Sequence, residues 1–289
     1  MTIQPEYTEH FVPVADGRIY ARDYAGQEPA FVLMHGFPDN LRIYDDLIPH
    51  LVEAGRRVVA FDFLGFGASD KPAAAPYSFA QQMGDFEAVI AALGLESVVP
   101  VGHDSSGPTA INYALAHSDR VASLVILNSI YDDAFPVVWP ELVELFATKG
   151  LRALAIAIAQ TPEQFGWLLG WQQTQFRDAL PEDQRAKFSE VMGPVIANNF
   201  LQSPSAGPAF ATLAAHFHAE LARNTARLPE LAALEMPVKV IWGSFDPYIG
   251  EAAGRDRASH FRNASFRALP AGHWLQSDMP EELAHEMLA

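Results

Sequence analysis

The chain has 289 residues, of which 49% are hydrophobic and 19% are charged, a composition typical of a globular protein with a large core. Its net charge of −16 argues against the basic face that phosphate binding requires, so we expect no nucleic-acid partner. The chain has no cysteine, which excludes disulfides and thiolate metal sites and is compatible with the cytoplasmic location that we expect.

The sequence also argues against a membrane or metal partner. Residues 1–11 have neither the basic nor the apolar stretch of a signal peptide, and the apolar run at residues 151–159 is too short to cross a bilayer. Histidines are present, but not in an H-E-x-x-H pattern or a comparable cluster with carboxylates. We therefore predict no membrane partner, no metal and no cofactor.

The first third of the chain predicts a sheet with an antiparallel start. Residues 11–24 read as two strands joined by a tight turn at Asp16-Gly17, and residues 30–34 read as a strand buried on both faces. The spacing of apolar residues predicts a helix over residues 41–54, which is followed by a buried strand at residues 57–61. A helix after Ser78 and a strand before Gly102 continue this alternation.

The rest of the chain divides at a long helical stretch. A buried strand at residues 121–127 is followed by residues 132–230, which have helical patterns interrupted by eight prolines. Strands resume at residues 238–242 and 265–269. We therefore predict an α/β core made of residues 1–131 and 231–289, with residues 132–230 inserted as a helical cap, or lid, over the active edge of the sheet.

The stretch Gly102-His103-Asp104-Ser105-Ser106-Gly107 has the pattern of a nucleophile elbow, a sharp strand-to-helix turn flanked by small residues. With Gly102 and Ser106 as the small residues, Asp104 lies at the tip. A register slipped by one residue would make Ser105 the nucleophile but would put His103 where a small residue belongs. In a third reading, Asp104 only caps the following helix.

An aspartate at the tip suits displacement at a saturated carbon, as in halides and epoxides. The carboxylate forms an alkyl ester that water can cleave, whereas a serine would form an ether that water does not. The His35-Gly36-Phe37-Pro38 loop after a buried strand predicts an oxyanion hole, with the backbone N–H groups of Phe37 and Ser105 as donors.

Four motifs in this order resemble the α/β-hydrolases that use an aspartate nucleophile, namely the haloalkane and haloacetate dehalogenases and the epoxide hydrolases. The motifs are His35-Gly36-Phe37-Pro38, residues 62–72, Gly102-His103-Asp104 with Gly107, and Gly272-His273-Trp274-Leu275-Gln276. The resemblance implies an α/β-hydrolase fold with Asp104 as nucleophile, His273 as the base and Asp246 as the acid that orients His273. Some relatives carry the acid after the preceding strand, where this chain has Asn128, Asp132 and Asp133.

Three departures from these relatives leave the substrate class open. The tryptophan that follows the nucleophile in haloalkane dehalogenases is Ser105 here, the arginines of the haloacetate enzymes are missing, and residues 132–230 lack the lid tyrosines of epoxide hydrolases. Candidate pocket residues that could hold a leaving halide or protonate an epoxide oxygen are Tyr131, Trp139, Trp167, Trp171 and His216, with Tyr248 and His218 as further candidate acids.

The sequence thus favours a hydrolase that cleaves a carbon–halogen bond in a small apolar or weakly polar organic substrate, with water as the co-substrate. An epoxide hydrolase is the first alternative. A serine esterase that uses Ser105 and a non-catalytic binding protein on the same scaffold are the others.

Overall fold

A computed structural model of the protein describes residues 4–289. The strands are β1 (Thr8–Val14), β2 (Gly17–Tyr24), β3 (Gln27–Met34), β4 (Arg56–Phe61), β5 (Val98–Asp104), β6 (Leu124–Ser129), β7 (Val238–Gly243) and β8 (Ala264–Leu269). They form one eight-stranded sheet in the order β1-β2-β4-β3-β5-β6-β7-β8. Strand β2 runs antiparallel to both of its neighbours, whereas every pair from β4 and β3 to β8 is parallel. This confirms the predicted sheet, which is mostly parallel with an antiparallel start.

The helices in chain order are α1 (Ile48–Glu53), α2 (Phe79–Ala92), α3 (Gly107–Ala116), α4 (Glu141–Ala147), α5 (Arg152–Ala159), α6 (Pro162–Ala179), α7 (Glu182–Lys187), α8 (Gly193–Leu201), α9 (Gly207–Ala215), α10 (Phe217–Thr225), α11 (Leu228–Leu231), α12 (Glu251–Ser259), α13 (Leu275–Asp278) and α14 (Pro280–Leu288). A π-helical turn, Phe188–Met192, joins α7 to α8. No helix of residues 4–289 has the length and apolarity needed to cross a membrane.

The central strands are buried on both faces, as their continuous apolar sequences predict. All six residues of β6 and the first six of β5 are buried, because helices cover the sheet on each side. The outermost strand, β8, alternates between partly buried and exposed positions instead. Because the central strands are parallel, their carboxyl ends meet at one edge of the sheet.

The helix predicted over residues 41–54 is shorter than expected. Residues Leu41–Tyr44 form a 3₁₀ turn capped by the side chain of Asn40, and α1 begins only at Ile48. Pro49 explains the late start, because a proline in the interior of a helix lacks the N–H donor and clashes with the preceding turn, whereas it is tolerated in the first turn, where it lies in α1.

Residues 130–237, between β6 and β7, contain α4 to α11 and no strand. We call this stretch the helical segment. Several of its prolines lie in the first turn of a helix, as in α6, α8, α9 and α11. This confirms the prediction that this part of the chain is helical and that its prolines mark helix boundaries.

Candidate active site

Asp104 lies at a sharp turn between β5 and α3. Its φ of 50° falls in the left-handed region, which is uncommon for a residue with a side chain. The turn is possible because its neighbours are small: a Cβ on Gly107 would lie 1.8 Å from Oγ of Ser129, and a Cβ on Gly36 would lie 2.3 Å from Oδ2 of Asp104. The two glycines let the backbone pass close to Ser129 and let the Asp104 carboxylate reach the loop after β3.

The two oxygens of the Asp104 carboxylate have different surroundings. Oδ2 accepts a hydrogen bond of 3.1 Å from the backbone N–H of Phe37, and the backbone N–H of Ser105 also donates to the carboxylate. Oδ1 lies 3.9 Å from Nε2 of His273. Burial raises the pKa of Asp104 to about 6, although the charge of His273 and these two N–H groups act in the opposite direction.

His273 is paired with Asp246 on its other side. Nδ1 of His273 lies 2.6 Å from Oδ2 of Asp246, a charge-assisted hydrogen bond between buried groups. Burial lowers the pKa of His273, but the negative charges of Asp246, Asp104 and Asp39 raise it by more, so that the pKa is about 9. The three residues that the sequence predicts as acid, base and nucleophile therefore lie together in a single chain of contacts.

The Asp246 carboxylate is fully satisfied by hydrogen bonds. Oδ1 accepts from the backbone N–H groups of Tyr248 and Ile249, at 2.9 and 3.1 Å. Oδ2 accepts from Nδ2 of Asn128 at 2.8 Å in addition to His273. Asn128, at the end of β6, is one of the three residues that the sequence offers for an acid after the preceding strand, and here its amide donates to Asp246, which follows β7.

A cavity of about 60 Å³ borders Asp104 and His273. Its wall on the sheet side includes Phe37, Asp104, Tyr248, Ile249, His273 and Trp274. Its wall on the opposite side comes from the helical segment and includes Trp139, Leu142, Val143, Leu169, Gln172 and Phe176. Among residues 4–289, no lysine, arginine or glutamate lines it. The cavity is thus small, largely apolar, and charged only at Asp104 and His273.

Four of the five predicted pocket residues do not line this cavity. On α6, the residues that line it are Leu169, Gln172, Gln173 and Phe176, spaced as one helix face. Trp167 and Trp171 point elsewhere on the same helix, and Trp167 is 69% exposed.

Tyr131 and His216 are the other two predicted pocket residues that do not line the cavity. Tyr131 is fully buried and its hydroxyl lies 3.0 Å from Oδ1 of Asn112, away from the cavity. His216 is exposed between α9 and α10, while its neighbour Phe217 lines the cavity. Trp139 does line the cavity, and its ring packs edge-on against Phe217 with centroids 4.9 Å apart.

A polar cluster on the cavity wall was not identified as a group from the sequence. The Tyr248 hydroxyl donates to Oε2 of Glu141 at 2.7 Å and accepts from Nε2 of Gln172 at 2.5 Å. Oε1 of Gln172 is itself held by the backbone N–H of Leu142 at 3.0 Å. The sequence predicts Tyr248 as a candidate acid, but nothing in the local sequence marks Gln172 or Glu141 as its partners, since they come from separate helices.

Asp39 is a second buried carboxylate behind the site. Its Oδ2 accepts a hydrogen bond of 2.9 Å from Nε1 of Trp274, the residue after His273. Burial raises the pKa of Asp39 to about 7, a shift that the Trp274 hydrogen bond opposes and the charge of Asp104 reinforces. Asp39 therefore adds a titratable group next to Asp104 and His273.

Comparison with known proteins places this geometry in context. A family profile described as alpha/beta hydrolase fold matches residues 29–280. Epoxide hydrolase 3 of Xenopus tropicalis is 28% identical over 283 residues, which cover 95% of this chain and 72% of that protein. Fluoroacetate dehalogenase of a Burkholderia species is 40% identical over 109 residues, or 36% of each chain. The structure of the epoxide hydrolase CorEH without ligand superposes with a TM-score of 0.73 at 22% identity and covers 98% of both chains.

Proposed function

The chain belongs to the α/β-hydrolase fold family, and we propose that it hydrolyses a neutral organic substrate at a saturated carbon through a covalent ester on Asp104. The observation that carries this proposal is the Asp104 carboxylate at the cavity wall. Its Oδ2 is held by the Phe37 N–H, whereas its Oδ1 lies beside His273. One oxygen is thus placed for attack and the other for stabilisation of negative charge.

In the first step, Oδ1 of Asp104 attacks the saturated carbon and forms an ester while the bond to the leaving group breaks. The leaving group departs with the bonding electron pair, as a halide ion or as the opened epoxide oxygen. The negative charge of Asp104 is consumed in this step. The pKa of His273 must then fall, because the Asp104 charge is one of the groups that raise it.

In the second step, Nε2 of His273 takes a proton from water, and the water oxygen attacks Cγ of Asp104. Negative charge develops on Oδ2, to which the Phe37 N–H donates, and the Ser105 N–H also donates to this carboxyl group. The bond between Cγ and Oδ1 then breaks, and protonated His273 returns the proton to the alcohol that leaves. Asp246 holds His273 in the required tautomer and stabilises its charged form.

We further propose that residues 132–230 act as a cap over a core made of residues 1–131 and 231–289. The cavity lies between the sheet edge and the helical segment, which supplies about half of its wall. A cap in this place excludes bulk water and surrounds the substrate with apolar side chains.

The cavity favours a neutral haloalkane among the possible substrates. The absence of lysine and arginine from its described wall leaves no partner for the carboxylate of a haloacid. A leaving halide needs hydrogen-bond donors and no proton, and two residues of this wall, Trp139 and Gln172, carry side-chain N–H groups. The Tyr248 hydroxyl already donates to Glu141.

An epoxide is the second candidate substrate, and Tyr248 is the observation that favours it. Opening an epoxide requires an acid for the ring oxygen, and a phenol on the cavity wall can supply the proton if it leaves Glu141. The likeness to epoxide hydrolase 3 over 95% of the chain points the same way. If Tyr248 is this acid, a Tyr248→Phe variant should lose epoxide turnover and keep any haloalkane turnover; epoxide turnover at the wild-type rate in Tyr248→Phe would exclude this role of Tyr248.

The test of the proposed function is a trapping experiment with His273→Gln, in which the second step should stop. The variant is incubated separately with pools of bromoalkanes, haloacids and epoxides, and the protein is analysed by intact mass and peptide mapping. A mass increase on the peptide that contains Asp104 is expected, and its size identifies the substrate class. An Asp104→Asn variant of the same protein serves as the control and should remain unlabelled.

The competing esterase hypothesis is tested in the same experiment. Ser105 is fully buried, and its Oγ has no hydrogen-bond partner among the described residues, whereas an activated serine needs a base beside it. Labelling of wild-type protein by an organophosphate at Ser105, with no adduct at Asp104 from any pool, would overturn the proposal.

A further inference from the structure

The residue that supplies an oxyanion donor from the loop after β3, Phe37, is held by the helical segment. Its ring packs edge-on between Phe210 and Phe217, with centroids 5.6 and 6.0 Å away. Both of these rings belong to the helical segment, in α9 and α10. The other donor, the N–H of Ser105, lies within the elbow itself and is held by the core.

A buried asparagine of α8 also contacts the loop that contains Phe37. Asn199 has no exposed surface, and its Nδ2 donates to the carbonyl oxygen of Pro38, the residue after Phe37, at 2.6 Å. Its Oδ1 accepts from the backbone N–H of Gly67 at 3.1 Å. The amide side chain of Asn199 thus bridges two loops of the sheet edge.

A second hydrogen bond runs in the opposite direction. Nδ2 of Asn40 donates to the backbone carbonyl of Val195, one turn before Asn199 on α8, at 3.3 Å. If α8 moved away, the Pro38 carbonyl and the Asn199 amide would lose buried hydrogen bonds, and each lost bond carries a desolvation cost. The loop that contains Phe37 and the position of α8 are therefore coupled.

We propose that Asn199 is a positioning residue, which holds the Phe37 N–H against Oδ2 of Asp104 only while the helical segment is seated on the core. This inference rests on the proposed ester mechanism at Asp104. It makes the second step of catalysis dependent on the closed position of α8, so that an ester formed on Asp104 is hydrolysed efficiently only in the closed protein.

The two chemical steps should respond differently to the loss of this contact. In the first step the Asp104 carboxylate gives up its negative charge, so a weaker hydrogen bond from Phe37 does not raise the barrier. In the second step a full negative charge develops on Oδ2, and removing an oxyanion donor typically slows such a step by about 10²–10³-fold. A displaced donor should cost less than a deleted one, about tenfold or more.

The experiment compares Asn199→Ala and Asn199→Asp with the wild type and with Asn198→Ala, the exposed neighbour on the same helix. Asn199→Asp keeps the acceptor for the Gly67 N–H but replaces the donor to Pro38 with an oxygen. A bromoalkane that labels Asp104 in the trapping experiment serves as substrate. Rapid-quench measurements of halide and alcohol give the rate constants of ester formation and of ester hydrolysis.

We expect ester hydrolysis to slow about tenfold or more in both Asn199 variants, with ester formation within about twofold of wild type, and no change in Asn198→Ala. Equal slowing of both steps, or wild-type hydrolysis in both Asn199 variants, would overturn the inference. The amplitude of the halide burst counts folded sites, so partial unfolding does not affect the rate constants. Asn199→Ser, with a side chain too short to reach Pro38, is a milder third variant with the same expected result.

Failure of this inference and failure of the proposed function give different results. If wild-type Asp104 forms no ester, the proposed function fails and no burst is observed in any variant. If the wild type shows a burst and the Asn199 variants match it in both steps, the function stands and the positioning role of Asn199 does not.

Discussion

Nε2 of His273 lies 3.9 Å from Oδ1 of Asp104, so the base of the proposed second step faces the atom that attacks in the first. While Asp104 is ionised, its charge raises the pKa of His273, and this contribution ends when the ester forms. In the resting protein, the Asp104 carboxylate favours the protonated form of His273. In the proposed mechanism, the neutral ester at Asp104 removes this effect, so that neutral His273, which can accept a proton, becomes more populated.

The pKa of Asp104 predicts how the rate of ester formation depends on pH. Ester formation requires ionised Asp104, whose pKa is about 6, so its rate should fall about tenfold per pH unit below that value and level off above it. Stopped-flow measurement of halide release between pH 4.5 and 8, a range chosen about that pKa, tests the profile. A first-step rate that does not change with pH would contradict the role of Asp104.

The pKa of His273 itself should depend on the charge of Asp104. In an Asp104→Asn variant, the pKa of His273, measured by NMR titration of the imidazole, should lie below the value of about 9 in the wild type. The reason is that the variant resembles the ester in having no charge at position 104. A His273 pKa that is equal or higher in Asp104→Asn would be inconsistent with this effect of the Asp104 charge.

Isotope labelling should show which oxygen enters the product. In a single turnover in ¹⁸O-water with excess enzyme, the product alcohol should contain unlabelled oxygen, because it carries Oδ1 away from Asp104. The label should appear in the Asp104 peptide by mass spectrometry. Labelled alcohol in the first turnover would indicate direct attack of water on the substrate and would exclude the ester.

Trp139 and Trp167 form a matched pair for testing the leaving-group site. Both belong to the helical segment, but Trp139 lines the cavity and Trp167 is exposed. Trp139→Phe should lower kcat for bromoalkanes about tenfold, since it removes an N–H donor that a departing halide can use. Trp167→Phe should leave kcat unchanged. Steady-state kinetics with inhibition by added bromide would detect the difference, and equal effects of the two variants would exclude this role of Trp139.

Asp39 should make the stability of the protein depend on pH. The folded-state pKa of Asp39, about 7, is raised above the ordinary value of 3.8. Its contribution to the free energy of unfolding is therefore fully present below pH 3.8 and is lost as the pH rises to about 7. Relative to Asp39→Asn, the wild type should therefore lose on the order of 1–3 kcal/mol of unfolding free energy between pH 5 and 8. Urea unfolding at both pH values measures this change, with the exposed Asp16→Asn as a control.

The core of the site could be predicted from the sequence because its signals are local. The turn at Asp104, the loop at Phe37 and the positions of Asp246 and His273 each lie at or shortly after the carboxyl end of a strand, and parallel strands bring these ends to one edge. The lining residues of the helical segment were predicted poorly because nothing local determines which face of α6 turns inward. Trp171 and Gln172 are adjacent in sequence, yet only Gln172 borders the cavity.

The contact between Asn199 and Pro38 could not be predicted from the sequence either. The two residues are 161 positions apart, and an asparagine in the middle of a helix gives no local indication of a partner. The late start of α1 has a local cause instead, since Pro49 is tolerated in the first turn of a helix but not in the interior of a helix over residues 41–54.

The division of the cavity wall has a practical consequence for engineering. The proposed reactive groups Asp104, His273 and Asp246 lie at or after the carboxyl ends of strands. The apolar wall positions Leu142, Val143 and Leu169 lie on helices between β6 and β7. Saturation libraries at these three leucine and valine positions can therefore reshape the binding volume without disturbing the bonds of the reactive groups. The proposed reactive groups and the residues that shape the binding volume thus come from different parts of the chain. Substrate specificity can therefore be changed by mutation while the reactive groups are kept.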